Sequence, residues 1–337
     1  MKKLRFRAVV NICCGKFYTL KRLPEKVANQ PLWAQIEITN VCNLRCKMCA
    51  QATDKWRKDV PPKTLSLAGF KEIIDQIPYI NMALMNGVGE PLLNPNLVDM
   101  IDYAHSKGIN TQFFTNATLL SPEMSRRLIN VEGLMRIRVS LDAGTAEKFD
   151  EIRKGASFVS VCENIAGFIK IRAELGRKRP EIVVCLVPMK ENIRDIPSLI
   201  STLANIGVKA LSIGVLLTNQ DTGTEPVSAE DIVLIEGYVE MAKAKGINLT
   251  YRKEAPNKGP HTRTCAAPWT YVFVNVAGWI NPCCFSFVDK GTYFGNIHEK
   301  SLREIWNSDG YKAFIHELKT AMPEVCREYP VHSDLRP

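Results

Sequence analysis

The sequence predicts an α/β fold in which helices cover a parallel β-sheet, and three observations predict it. From residue 33 to about residue 250, short β-rich apolar runs alternate with helical patterns in six repeats. The helical segments carry start and stop signals at their ends. Polar and small residues gather where the strand-like runs finish, which is where parallel α/β folds place their chemistry. The strand-like runs are 33–38, 80–86, 110–115, 134–140, 181–187 and 209–216. The helical ones are 66–77, 95–107, 121–130, 158–175, 193–206 and 228–245. Ser66 precedes Leu67, Ser121-Pro122 opens the third helix, and Ser228 opens the sixth. A serine hydroxyl accepts an orphan N–H of the first turn, and proline fits the first helical position. Gly108, Gly207 and Gly246 stand where helices should stop. These patterns suit a barrel and a doubly wound open sheet equally well.

The totals set bounds. A chain of 337 residues can hold one large domain and a smaller one. Apolar content of 46% and charged content of 23% are ordinary for a globular protein. No run of eighteen apolar residues occurs, so no membrane-spanning helix is expected. The apolar piece 8–14 is interrupted by Asn11 and no small-residue cleavage site follows, so no signal peptide is read. Eleven cysteines without a disulfide pattern suggest a reducing, cytoplasmic setting. The net charge of +9 is uneven: Lys2, Lys3, Arg5, Arg7, Lys16, Lys21, Arg22 and Lys26 face only Glu25 in residues 1–30, a net +7. One reading is a solvated basic tail. The sharper one is peripheral contact with an anionic membrane, because Phe6, Val9, Val10, Ile12, Phe17 and Leu20 are interleaved with the charges. Nothing resembles a sequence-specific nucleic-acid module. Cys13-Cys14 has no partner at ligand spacing and reads as packing.

The stretch Cys42-Asn43-Leu44-Arg45-Cys46-Lys47-Met48-Cys49 organises the rest. Three thiols on one loop can hold three corners of a [4Fe–4S] cube and leave the fourth iron open. A structural zinc site wants a fourth Cys or His close by, and the first histidine after the loop is His105. The loop follows the strand-like run Trp33 to Ile38, so it lies at a strand's carboxyl end. The second run ends in Asn86-Gly87-Val88-Gly89-Glu90-Pro91, whose small residues let backbone approach a ligand and whose Glu90 can accept from a cationic amine. The third ends in Thr115-Asn116-Ala117-Thr118 and the fourth in Val139-Ser140-Leu141-Asp142. Capping and turn formation would equally favour such residues.

The CxxxCxxC spacing at Cys42, Cys46 and Cys49 resembles the radical S-adenosylmethionine (radical SAM) family. The resemblance implies a partial (βα)6 TIM-like barrel, open on one side, over residues 31–250. It implies a [4Fe–4S] cluster bound by the three cysteines, with S-adenosylmethionine on the open iron. Gly89, Glu90 and Pro91 resemble the family's GGEP segment, with Val88 in place of its first glycine. Asn116, Ser140 and Asp142 match strand-end positions near the cofactor. Arg153 resembles an arginine that pairs with the cofactor carboxylate. Met48 matches a position that packs on adenine, and Met189, in Val187-Pro188-Met189, a contact to the same ring.

After residue 250 helical periodicity fades. Cys265 precedes Ala266-Ala267-Pro268-Trp269, and a hairpin is expected over 270–284 with its turn at Ala277-Gly278. Gly295-Asn296-Ile297, the segment Ser301 to Ser308 and Cys326 follow. This region resembles the SPASM/twitch extension of radical SAM enzymes, which implies a second, auxiliary [4Fe–4S] cluster held by Cys265, Cys283 and Cys326 in residues 251–337. Tyr329 stands where the fourth thiol is expected. Cys284, His332, substrate or no ligand are the alternatives, and loss of that cluster is another.

The family's chemistry is reductive cleavage of S-adenosylmethionine to a 5′-deoxyadenosyl radical, which takes a hydrogen atom from substrate. A one-electron reductant such as flavodoxin or ferredoxin is the implied partner. The short basic lead and the missing second cysteine group favour a small polyhydroxy substrate: a sugar, cyclitol or nucleotide sugar. A peptide or protein maturase is the alternative. A non-enzymatic iron–sulfur electron carrier is a reading of another class, disfavoured by Gly89-Glu90-Pro91 and Ser140, which a carrier does not need.

Overall fold

A computed structural model describes residues 30–214, 216, 222–251, 267–281, 283, 293–320, 323 and 326. The basic lead over 1–29, with Cys13 and Cys14, lies outside the described residues, as do Cys265, Cys284, Tyr329 and His332.

The parallel strands are β1 (Trp33–Ile36), β2 (Met82–Leu84), β3 (Asn110–Thr115), β4 (Leu134–Ser140), β5 (Glu181–Leu186), β6 (Ala210–Ile213) and β7 (Asn248–Tyr251). Helices separate them: α1 (Asp54–Asp59), α2 (Leu67–Gln76), α3 (Leu97–Ser106), α4 (Pro122–Asn130), α5 (Ala146–Ile152), α6 (Phe158–Glu174), α7 (Ile196–Asn205) and α8 (Ala229–Ala244). After α9 (Ala267–Thr270) come β8 (Tyr271–Val274), β9 (Trp279–Asn281), β10 (Gly295–Asn296), α10 (Leu302–Ile305) and α11 (Asp309–Thr320).

Among the described residues the strands form one sheet in the order β10-β9-β8-β1-β2-β3-β4-β5-β6-β7. From β1 to β7 spatial order follows chain order, so every crossover steps the same way. Right-handed crossovers that never reverse put all their helices on one face. That separates this sheet from a doubly wound one, which reverses at a switch point and carries helices on both faces. The sheet is the partial-barrel kind, with one face left for a ligand. A seventh parallel strand, β7, goes beyond the six repeats expected. Its four residues follow Gly246 too closely to show a period.

The local signals act as expected. Ser66, Ser121 and Ser228 accept from the backbone N–H of Gly69, Met124 and Asp231. Gly108, Gly207 and Gly246 take φ of +79°, +85° and +72°, the left-handed turn that ends a helix. The helix-covered face holds the core: Ala34, Ile36 and Ile38 after β1, Phe113 of β3, Ile137 and Val139 of β4, and Val184 of β5 are all buried there. Phe70, Ile73 and Ile74 of α2 and Val161, Ile165 and Phe168 of α6 meet them at helical spacing. The other face of each strand carries different residues, among them Gln35, Gln112, Arg138 and Ser140.

The hairpin expected after residue 270 forms from β8 and β9, paired antiparallel across Asn275 to Gly278. Gly278 has φ +88° and a Cβ there would strike the His298 ring, so glycine is required in this turn. β8 does not stand apart: it pairs parallel with β1, from Trp33↔Tyr271 to Ile36↔Val274.

Candidate active site

The cysteine loop leaves β1 and is tied down on two sides. The Arg45 and Lys47 N–H groups donate to the carbonyls of Lys154 and Ile152, at 3.0 and 2.8 Å. The Glu90 N–H donates to the Val41 carbonyl at 2.8 Å. Gln51 is buried and donates its amide to the Asn40 and Val88 carbonyls. The loop is thus laced to the end of α5 and to the glycine-rich turn after β2.

Cys46 is buried, and Cys42 and Cys49 are half-buried. Burial raises the pKa of all three thiols, pushing Cys49 up to about 12. Coordination by a metal would displace those protons. Donors already point at sulfur: the Leu44 N–H lies 3.5 Å from Cys42 Sγ, Asn116 Nδ2 at 4.0 Å from the same atom, and an Arg153 Nη at 3.7 Å from Cys46 Sγ. Such donors favour thiolate and tune a cluster's potential. Among the described residues no three His, Cys, Asp or Glu side chains converge on one ion-sized point. A four-iron cube instead takes each thiolate at a separate corner.

The other expected residues fall into three groups. Met48 and Met189 pack with Leu44, Cys46, Ile152 and Leu216 in one apolar cluster that the half-buried Cys42 and Cys49 flank. The structure therefore brings the two methionines and the three thiols together.

The glycine-rich turn is built by close approach. A Cβ on Gly89 would lie 2.3 Å from the Thr39 carbonyl oxygen, and one on Gly87 would lie 2.2 Å from Glu37 Oε1. Glu90 is 2% exposed. Its Oε1 accepts from Leu92 N–H and Thr115 Oγ1, and its Oε2 accepts from Asn116 N–H at 2.7 Å. The carboxylate thus braces the ends of β2 and β3 instead of standing free for an amine. Pro91 is buried at the start of the short helical turn that follows. Asn86, just before Gly87, keeps its side-chain oxygen out of water with no donor among the described residues, and a ligand N–H or O–H would satisfy it.

Arg153 and Asp142 form the third group, paired with each other. Asp142 is fully buried and accepts from Val187 N–H at 2.7 Å and from Arg153 at 2.6 Å. Burial alone would lower the Arg153 pKa, but the Asp142 carboxylate and Cys46 raise it further, so the guanidinium stays charged. The Arg153 guanidinium is thus held by Asp142, with which a cofactor carboxylate would have to share it. Asn116 is also engaged, donating to Asn43 Oδ1 and accepting from Thr118. Ser140 is half-buried at the end of β4, beside Cys185 of β5. Cys283 and Cys326 are half-buried.

Sequence reasoning missed Glu37. It is 4% exposed, and its two oxygens accept from Val88 N–H at 3.0 Å and Val276 N–H at 3.1 Å. One carboxylate therefore joins β1, the glycine-rich turn and the β8–β9 turn. The available signal was an acidic residue between the buried Ile36 and Ile38 at the end of β1. Burial raises its pKa although both N–H donors lower it. A carboxyl raised on folding holds its proton more tightly in the folded chain. Its contribution to stability is full below the unfolded value and is lost as pH rises through the folded one. Urea midpoints of wild type and Glu37→Gln should therefore differ more in favour of wild type at pH 5 than at pH 8. Equal gaps at the two pH values would show that Glu37 titrates alike folded and unfolded.

Family comparison agrees with this geometry. The radical SAM superfamily profile matches residues 36–203, and the SPASM iron-sulfur cluster-binding domain matches residues 265–328. The chain belongs to the radical SAM superfamily and carries a SPASM extension. Its cofactors are accordingly a [4Fe–4S] cluster and S-adenosylmethionine, with auxiliary iron–sulfur binding in the SPASM segment.

Among its relatives is the tungsten-containing aldehyde ferredoxin oxidoreductase cofactor-modifying protein of Pyrococcus furiosus, 31% identical over 87% of this chain and 85% of the relative. AdoMet-dependent heme synthase of Methanosarcina barkeri is 26% identical over 84% of each. PqqA peptide cyclase of Xanthomonas euvesicatoria is 25% identical over 90% of this chain and 81% of the relative. The fold resembles that of Streptococcus suis SuiB bound to precursor peptide SuiA, with TM-score 0.68, 18% identity, and coverage of 86% of this chain and 68% of SuiB. No described helix is long and apolar enough to cross a membrane.

Proposed function

We propose that this radical SAM enzyme is a maturase that modifies a peptide, by abstracting hydrogen from one of its carbons. The observation that supports it most is likeness along nearly the whole chain to relatives named for modifying a cofactor and for cyclising a peptide. These relatives favour the maturase over the small polyhydroxy substrate expected from the short lead.

In this reading residues 1–30 are a basic lead, 31–250 the cofactor-binding barrel, and 251–337 the auxiliary cluster domain. Cys42, Cys46 and Cys49 hold the first cluster. The cluster and S-adenosylmethionine together supply a carbon radical able to take hydrogen from an unactivated C–H bond. The chain does the rest. The backbone at Gly89, Glu90 and Pro91, with the side-chain oxygen of Asn86, receives the polar end of the cofactor. Met48 and Met189 would form an apolar wall for its ring, and Ser140 would bond to its sugar. Asp142 holds the Arg153 guanidinium against the Cys46 sulfur. Cys265, Cys283 and Cys326 hold the auxiliary cluster.

The test uses anaerobically reconstituted protein with dithionite and S-adenosylmethionine. Formation of 5′-deoxyadenosine is expected. With deuterated peptide pools and deuterated metabolite pools offered separately, label should enter 5′-deoxyadenosine from the peptides. Label arriving only from the metabolites would reverse the substrate assignment.

A further inference from the structure

The inner face of β4 carries two arginines with different surroundings. Arg136 and Arg138 share that face with Ser140, whereas Ile137 and Val139 turn into the helix-covered core. Arg136 has a counter-charge: its Nε donates to Glu181 Oε2 at 3.2 Å. Arg138 has none. Its Nε donates to Gln112 Oε1 at 3.2 Å, and one Nη lies 3.9 Å from Cys185 Sγ. The guanidinium carbon stands 5.5 Å from the centre of the Phe114 ring. No carboxylate among the described residues lies within 4.0 Å of it. Burial raises the Cys185 pKa, more than Arg138 lowers it, so that neighbour is a neutral thiol.

Gln112, Phe114 and Cys185 therefore orient the guanidinium without neutralising it. A guanidinium has five N–H donors in a planar fork, and the two contacts use two of them. A half-buried charge without a counter-ion is costly unless something completes it. The complement of an open fork is a carboxylate, held by two parallel bonds. The place is apt. Arg138 lies two residues before Ser140, roughly 7 Å along the strand, which is deeper in the sheet's open face than the cofactor residues. A substrate carbon facing the cofactor would put its neighbouring groups at that depth.

We propose that Arg138 is the anchor for a carboxylate of the peptide substrate, carried by an acidic side chain or by the peptide's own C-terminus. The proposal rests on the maturase reading. The probes are three peptides: acetyl-Gly-Glu-Gly amide, acetyl-Gly-Gln-Gly with a free C-terminal acid, and acetyl-Gly-Gln-Gly amide. Each is titrated calorimetrically into holoenzyme loaded with S-adenosylmethionine. Wild type should bind one or both acids about tenfold more tightly than the neutral peptide, a typical effect of one charge-assisted pair. The side-chain acid and the terminal acid distinguish the two sources. In Arg138→Gln the preference should shrink to about twofold, and in Arg138→Lys, which keeps the charge and loses the fork, it should be partly kept. Arg136→Gln, which removes a charge already paired, should leave the preference intact.

Three results would overturn the proposal: no preference in wild type, a preference that survives Arg138→Gln, or equal loss in Arg136→Gln. Should Arg138→Gln not fold, the Lys variant and the wild-type preference decide. Formation of 5′-deoxyadenosine by wild type is measured separately. Its failure removes the enzyme reading and leaves the binding result to stand or fall alone.

Discussion

Arg153→Met is expected to destabilise the chain by about 3–5 kcal/mol, the usual result of removing one partner of a buried ion pair. Asp142 is fully buried, so its charge would be left without compensation. Adding Asp142→Asn to Arg153→Met should recover most of the stability, because an amide tolerates the site that an isolated carboxylate does not. Urea denaturation of wild type, both single variants and the double variant measures this. The reconstituted cluster gives a second readout. Arg153 lies 3.7 Å from Cys46 Sγ, and a cation beside a cluster favours its reduced, more negative state. The double variant should regain stability yet keep part of the shift to a more negative reduction potential, because Arg153 acts on Cys46 more strongly than Asp142 does in the opposite sense. Full recovery of both would reduce the pair to a structural role. Surface pairs in the same loop set the contrast. Lys47 with Glu191 is about one-third exposed and is worth less than about 1 kcal/mol.

Gly89→Ala is expected to lower 5′-deoxyadenosine formation at least about 100-fold, the scale of effect that follows when a positioning segment moves by about 1 Å. The added methyl would meet two backbone carbonyl oxygens, Thr39 at 2.3 Å and Val41 at 2.7 Å. Neither belongs to a flexible side chain that can swing away. To make room, the turn must leave the cysteine loop, which breaks the bond from Glu90 N–H to the Val41 carbonyl. Gly167→Ala is the control. It lies within α6 with nothing within 4 Å of the new methyl, so it should stabilise the helix by about 0.5–1 kcal/mol and leave turnover alone. Equal turnover in the Gly89 and Gly167 variants would mean that the close approach at Gly89 does not matter for cofactor binding.

Features encoded locally were legible in the sequence. The serine caps, the terminating glycines, the cysteine spacing and the β8–β9 turn each need only a few neighbouring residues, and each lies where expected. Two short helices, α1 and α5, and the short strand β7 offered too few residues to reveal a period. The site was legible in its parts but not in its wiring. Arg153 and Asp142 were both singled out, yet nothing eleven residues apart in sequence says that they pair with each other. Glu37 was missed because its partners are 51 and 239 positions away. Arg138 was passed over as one charge in an alternating strand. Only the comparison with Arg136, across strands remote in sequence, separates a paired charge from an open one.

The seat of β8 against β1 bears on how the polypeptide is made. During synthesis β1 leaves the ribosome early and gains β2 soon afterwards, but its other edge stays unpaired until residues 271–274 emerge. For most of translation the strand that leads into the iron-binding loop is a half-finished ladder, able to recruit foreign strands. Loading iron before the last fifth is translated would fix that loop on an incomplete support. The order that avoids this is completion of the ladder first and cluster delivery afterwards, so nascent chains halted before residue 271 should aggregate more than chains halted after 281.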